Sequence, residues 1–326
     1  MRFKRSPLLL LTTCLTLSAQ TEEQINKSFT VPVNSQLIVD VGQGSLEVIS
    51  HAGNAVVISA FRKVTRKTKA DEEAFLHDHP IVFSQEGGEL TIQSKDSTSG
   101  SVWSLFGSNH TEAKYLITVP TTFNVRLKTS GGSIAVSNVT GKVISNTSGG
   151  GLRFTGVHGP LDGNTSGGGI RVTDCEGPVK IHTSGGGIEV TGGGGSLDGD
   201  TSGGGVTVRN FRGSAHVETS GGGINLENIV GPIEGSTSGG SINAQFSLPL
   251  VDEVKLETSG GGVTIRVVES SAFNLDAATS SGDVNTDLPI TVVGKIGRGH
   301  LSGSVNGGGK PVFLRSSGGG INVRKL

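Results

Sequence analysis

The chain has 326 residues, a formal net charge of −1 from 27 basic and 28 acidic side chains, and 53 glycines. Glycine at about 16% against an average of about 7%, with 33% hydrophobic and only 4% aromatic residues, excludes a conventional core of large side chains. Balanced charge excludes a basic surface for nucleic acid or anionic lipid, and low net charge with regularly spaced valine and isoleucine excludes disorder.

At the N-terminus, Arg2, Lys4 and Arg5 precede the apolar run Pro7 to Thr13 and small residues ending at Ser18-Ala19. That order predicts a signal peptide over residues 1–19, cleaved after Ala19, and hence a periplasmic, outer-surface or extracellular protein. The alternative is a lipid anchor at Cys14, because Leu11-Thr12-Thr13-Cys14 resembles a lipobox, with an atypical threonine before the cysteine. The apolar run is too short for a bilayer and no later stretch approaches about 18 apolar residues, so no membrane span is expected. Cleavage leaves Cys175 as the sole cysteine and no internal disulfide. Its place in an apolar column predicts a buried small hydrophobe rather than a nucleophile.

Residues 20–126 read as an irregular β region continuous with the array that follows. Strands are predicted over Gln36–Val41, Ala55–Phe61, Glu89–Gln93 and Tyr115–Val119, and Gly42 to Val48 is an early echo of the array's pattern. Lys67 to His79 reads as a short helix or excursion with Lys69, Glu72 and Glu73 exposed. Ser94 to Asn109 reads as a mobile loop whose Trp103, Leu105 and Phe106 either pack on the rod or anchor a partner. His77-Asp78-His79 and His110 form a local cluster without zinc-type spacing, so no metal site is assigned.

Residues 127–326 form the regular array. Thr-Ser-Gly-Gly starts at Thr129, Thr147, Thr165, Thr183, Thr201, Thr219 and Thr237, always 18 residues apart. Looser copies start at Thr258, Thr279, Leu301 and Ser316, with spacings of 21, 21, 22 and 15. After the glycines comes an alternating segment such as Ile170-Arg171-Val172, and a second short strand such as Val179 to Ile181 follows a glycine turn at Gly177 and its equivalents. One unit cannot bury its apolar groups or pair its backbone alone, whereas stacking in parallel register at about 4.8 Å cures both faults.

Stacking predicts interior columns: Ile134, Leu152, Ile170, Ile188, Val206, Ile224, Ile242; then Val136, Phe154, Val172, Val190, Val208, Leu226; and Val139, Val157, Cys175, Gly193, Phe211, Ile229. It also predicts an outward ladder, Asp162, Lys180, Asp198, His216, Glu234, Lys255, in which acid alternates with base. The next inward position alternates Gly163, Ile181, Gly199, Val217, Gly235, a 36-residue superperiod. The glycine triplets precede strands with no Gly-Lys-Ser/Thr after them, so they read as corners needing positive φ and close coil contact rather than as a phosphate cradle. Threonine and serine columns suit hydrogen bonds holding the corner.

The expected fold is therefore all-β: a parallel β-helix or solenoid of 18-residue coils, single-stranded and right-handed, with ten or more coils over roughly 50 Å. Coils are expected to stack in sequence order, with Arg324 and Lys325 blunting the edge after Ile321-Asn322-Val323.

Tyr115-Leu116-Ile117-Thr118-Val119-Pro120, Val125-Arg126-Leu127 and Thr129 to Val136, with the Thr-Ser-Gly-Gly-Gly array, resemble the bacterial DUF4097 putative-adhesin family over about residues 35–326. The resemblance implies a β-solenoid in an envelope or extracellular setting and brings no catalytic motif.

No catalytic, cofactor-binding or metal residues are assigned, no cofactor is expected, and ligand-binding residues stay unassigned. The reading is a non-catalytic adhesin-like or scaffold protein whose partner is a surface protein or glycan, with self-association as another mode. The alternative is a polysaccharide-active β-helix lyase or hydrolase, which needs paired carboxylates; the aligned acids Asp162, Asp198 and Glu234 are separated by basic rungs. Calcium at Gly192 to Asp200 and an ice-binding threonine face are weaker alternatives, the first unrepeated in neighbouring coils and the second lacking a second threonine column.

Overall fold

The computed structural model describes residues 20–32, 35–94, 110–292 and 297–326. Cys14, the predicted signal peptide and the segment with Trp103, Leu105 and Phe106 lie outside them.

In the array, alternating apolar residues form sixteen strands that pass back and forth between two sheets, from β8 (Asn124–Thr129) and β9 (Ile134–Ser137) to β22 (Val254–Thr258) and β23 (Val263–Val267). Each repeat supplies one strand to each sheet, as with Ile170–Thr173 and Val179–Thr183. Ile170 lies opposite Leu152 on one side and Ile188 on the other, in parallel register. The column from Ile134 to Ile242 is at most 2% exposed, which is the predicted interior stripe. Leu161, Val179, Leu197, Ala215 and Ile233 face it from the second sheet and are equally buried. Each such side chain contributes about 1.5–3 kcal/mol on burial, but only once a neighbouring coil covers it.

The inward glycines are partly steric. A Cβ on Gly163 would lie 3.0 Å from the Phe154 ring and one on Gly235 would lie 3.1 Å from Leu256, whereas at Gly199 the nearest atom is an ordinary 3.5 Å away. The superperiod thus tracks large neighbours at two of its three glycines.

One corner is held by threonine. Thr183 Oγ1 donates to the Gly168 carbonyl of the preceding coil at 2.7 Å and accepts from the Gly186 N–H at 3.3 Å. Thr147, Thr165, Thr201, Thr219, Thr237 and Thr258 repeat both bonds. These threonines are buried, so they clamp coil to coil and offer no ice-binding face. The adjacent glycines are required by close approach and not, as expected, by positive φ: a Cβ on Gly186 would sit 2.2 Å from the Gly168 oxygen. Positive φ belongs to other turns, at Gly177 with φ 118° and its equivalents, and at the column Asn138, Gly156, Asp174, Gly192, Asn210, Asn228 with φ of 50–70°.

The ends depart from sequence order. Near the N-terminus the strands are β1 (Thr21–Thr30), β2 (Gln36–Val41), β3 (Ser45–His51), β4 (Ala55–Thr65), β5 (Val82–Glu86), β6 (Glu89–Ser94) and β7 (His110–Pro120), with helix α1 (Lys69–Asp78) after β4. The β2/β3 coil stacks directly on β8/β9, and the later β6/β7 coil lies outside it. β4 then pairs antiparallel with β7, β1 with β4, and β5 with β6. At the other end are β24 (Phe273–Thr279), β25 (Val284–Thr286), β26 (Ile290–Val292), β27 (His300–Val305), β28 (Lys310–Ser316) and β29 (Ile321–Lys325). The final β28/β29 coil inserts between β22/β23 and β24/β25.

Three expectations are corrected here. Ile321 is an interior rung, opposite Val263 and Val284, and Arg324 and Lys325 pair with Asp287 at 2.6 Å and Glu269 at 2.5 Å instead of guarding an open edge. Leu301 starts no coil; it lies opposite Ala277 in an antiparallel cap. Glu72 is buried because its carboxylate turns onto β1 and the segment before the helix, accepting from Thr21 Oγ1 at 2.7 Å and from the Arg66 backbone N–H at 3.0 Å; its place in the first turn of α1 also suits a carboxylate. Among the described residues the stack has twelve coil positions, roughly 50–55 Å at the β spacing.

Candidate binding surfaces of the rod

Side chains that point inward are spent on the core, so any binding chemistry lies on the outward columns and corners. On the second sheet the predicted ladder forms in register, Asp162 opposite Lys180, then Asp198, His216, Glu234 and Lys255. Lys180 meets Asp198 at 3.7 Å, His216 meets Glu234 at 3.3 Å and Lys255 meets Glu234 at 2.7 Å. The hydrogen bond from Lys255, together with the Lys255 and His216 charges, holds the Glu234 carboxyl below its ordinary range against a smaller opposing effect of burial. Beside this ladder runs a second one, Asn146, Asn164, His182, Asp200, in which His182 pairs with Asp200.

The first sheet presents Arg153, Arg171, Glu189 and Thr207 on successive rungs, over a floor formed by Gly151, Gly169, Gly187 and Gly205, in a shallow trough of about 560 Å³. Glu189 is shared by Arg171 at 2.7 Å and Arg209 at 3.4 Å, while Arg153 is exposed. Further along the same face, Asn225 and Asn243 pair their amides at 3.3 Å.

A third surface was not legible in the repeat. The coil between Thr237 and Thr258 has three extra residues, and its loop 247–253 folds beside the corner at Val230 to make an apolar groove of about 550 Å³ lined by Ile229, Val230, Phe246, Leu248 and Val251. Leu248 and Val251 are 66% and 62% exposed, which is unusual for residues of this size. The available signal was the 21-residue spacing together with Leu248, Leu250 and Val251 falling outside the strand alternation.

The residues weighed for chemistry are dispersed. Asp162 accepts from the Asn164 amide at 2.7 Å, and Asp198 and Glu234 are each engaged by cations, so the three acids are ladder rungs and not a facing pair. Cys175 is buried and burial pushes its thiol pKa up, with its Sγ between the Val157 N–H and the Thr173 carbonyl at 3.4 Å each. His77 faces Asp78 at 3.1 Å, while His79 donates to the Phe75 carbonyl and stacks on its ring. Among the described residues no three His, Cys, Asp or Glu side chains are placed to hold a metal. In the Gly192 to Asp200 run, Asp198 and Asp200 are already partnered by Lys180 and His182. No helix among the described residues is long and apolar enough to cross a membrane.

Solved structures that the chain matches include a "putative adhesin" from Parabacteroides distasonis ATCC 8503, 11% identical over 93% of this chain and 97% of that one with a TM-score of 0.42. A "putative lipid binding protein" from the same organism is 15% identical over 93% and 96% of the two chains, TM-score 0.36. A "putative cell adhesion protein" from Clostridium sporogenes ATCC 15579 is 11% identical over 94% and 100%, TM-score 0.22. With superpositions this loose, these structures carry no weight for ligand or partner. A comparison with curated proteins returned no match. The Toastrack DUF4097 family model matches residues 37–324, spanning the coils from β2 to β29, and the chain therefore belongs to that family.

Proposed function

We propose that this protein is an exported, non-catalytic adhesin-like or scaffold rod of the cell envelope or its exterior, binding a surface protein or glycan through its outward columns. The observation that carries the reading is the repetition of polar and charged side chains at rung spacing along both sheets, on one continuous buried apolar core. Such a surface suits an extended ligand that makes many similar contacts, each weak and jointly specific. The basic, apolar and small residues before Gln20 support export, by signal-peptide cleavage after Ala19 or by a lipid anchor at Cys14. The pairing of Asp198 with Lys180 and of Glu234 with Lys255 and His216, as rungs of one ladder rather than as a facing pair of carboxyls, supports the non-catalytic part of the reading.

The test is to probe glycan arrays and detergent-free envelope fractions with the purified full chain, and in parallel to follow depolymerisation of the same polysaccharides. Saturable binding without new chain ends is expected. Turnover of any polysaccharide would replace this reading with a β-helix lyase or hydrolase, and absence of any binding would leave a purely structural rod.

A further inference from the structure

Each of the two sheets has two edges, and the described strands treat them unequally. Three edges are short: β5 has 5 residues, β25 has 3 and β26 has 3. The fourth, β1, has 10 residues, Thr21 to Thr30, paired along its whole length with β4 and with no described strand beyond it. Proteins normally blunt so long an edge, because its outer backbone groups template another strand. Here there is no proline in the strand, and the charged side chains are Glu22, Glu23 and Lys27.

Those charges are self-complementary. If β1 pairs antiparallel with β1 of a second copy about a two-fold axis at Ile25, Thr21 faces Phe29, Glu22 faces Ser28, Glu23 faces Lys27 and Gln24 faces Asn26 of the other copy, with each pair occurring twice. In this register a residue with outward backbone groups always meets another such residue, whichever alternate set of β1 faces out. Glu23 and Ile25 lie on the half-buried face of β1, continuing the side that packs toward Arg62. Glu23 contacts Arg62 through Oε2 in both its bonds, which leaves Oε1 for a second cation. Lys27 is exposed and has no ion-pair partner among the described residues. A strand without an acid opposite Lys27 and a base opposite Glu23 would leave both charges unpaired, so the charges that discourage indiscriminate strand addition favour a copy of this one.

We propose that the protein self-associates head to head through β1, joining the first sheets of two rods into one continuous sheet. The pairing closes on itself, so it yields a dimer and not a fibre. It uses the end of the rod and leaves the outward columns free, and it therefore stands apart from the identity of the surface partner.

Sedimentation equilibrium of the purified mature chain, beginning at Gln20, over a concentration series should show a reversible monomer–dimer equilibrium, with small-angle scattering giving the dimer about twice the monomer's greatest length. Lys27→Glu, which sets two like-charge pairs across the junction, should raise the dimer Kd about tenfold, and Ser28→Lys, which faces Glu22 of the other copy, should lower it by a similar factor. Circular-dichroism melts verify that each variant is folded, and should Lys27→Glu misfold, Ser28→Lys alone decides. A chain that stays monomeric throughout, a compact side-by-side dimer, or a dimer indifferent to the folded variants overturns the inference. A monomer that still binds an envelope component removes this inference and leaves the proposed function standing.

Discussion

Gly186 and Gly131 occupy different places in the same repeated corner and differ in what their missing side chains permit. A Cβ on Gly186 would overlap the Gly168 carbonyl at 2.2 Å, whereas one on Gly131 meets nothing within 4 Å. Gly186→Val should therefore cost about 3 kcal/mol or more, because backbone and not a flexible side chain must give way. Gly131→Ala should be neutral or stabilising by about 0.4–1 kcal/mol through the unfolded chain's lost freedom. Chemical-denaturation midpoints of the two variants check both, and a Gly186→Val protein as stable as the parent would refute the coil-to-coil contact. The threonine clamps act at the same scale, since Thr183 Oγ1 satisfies a carbonyl and an N–H that the corner would otherwise leave unpaired.

At the scale of strands, outward pairs set register more than stability, because exposed ion pairs are screened and contribute little. A one-residue slip would turn the Ile170 and Val172 columns outward, so the core already opposes it, and the charge ladder distinguishes slips by whole coils. Lys255 holds the Glu234 carboxyl below the usual carboxylate range, so this contact stabilises the fold at pH above that range and is lost as pH falls through the depressed value. Glu234→Gln should accordingly melt slightly lower than the parent near neutrality, with the difference vanishing in acid; melting temperatures measured across pH decide, and a difference that grows toward low pH would contradict the assignment. Asp276 behaves with the same sign, held down chiefly by the hydrogen bond and charge of Arg315.

For the whole molecule, the inserted C-terminal coil has a consequence that an ordinary solenoid lacks. β28 and β29 bridge β22/β23 to β24/β25, so the stack beyond Val267 is completed only when the end of the chain arrives. Removing residues 310–326 should expose the edges of β22 and β23, orphan the β24 to β27 segment and cause aggregation or proteolytic loss back to about residue 268. Limited proteolysis followed by mass spectrometry checks this. Simple loss of one rung with residues 273–305 still protected would show that the cap holds without the inserted coil.

From residue types and spacing alone came the all-β class, the parallel register, the first two interior columns and the third apart from the half-buried Gly193, the alternating charge ladder and the buried state of Cys175. All of these follow from local alternation and from an 18-residue period, which places equivalent residues one above another whatever surrounds them. The order of the terminal coils, the burial of Glu72, the place of β1 as a long edge among the described strands and the groove at Leu248 and Val251 were decided only in three dimensions. Strand pairing at the ends is a choice among several partners of similar apolar pattern, and the choice depends on which arrangement caps the core. Periodicity is silent on that point, because the alternating segments at β3, β7, β25 and β29 are compatible with more than one neighbour.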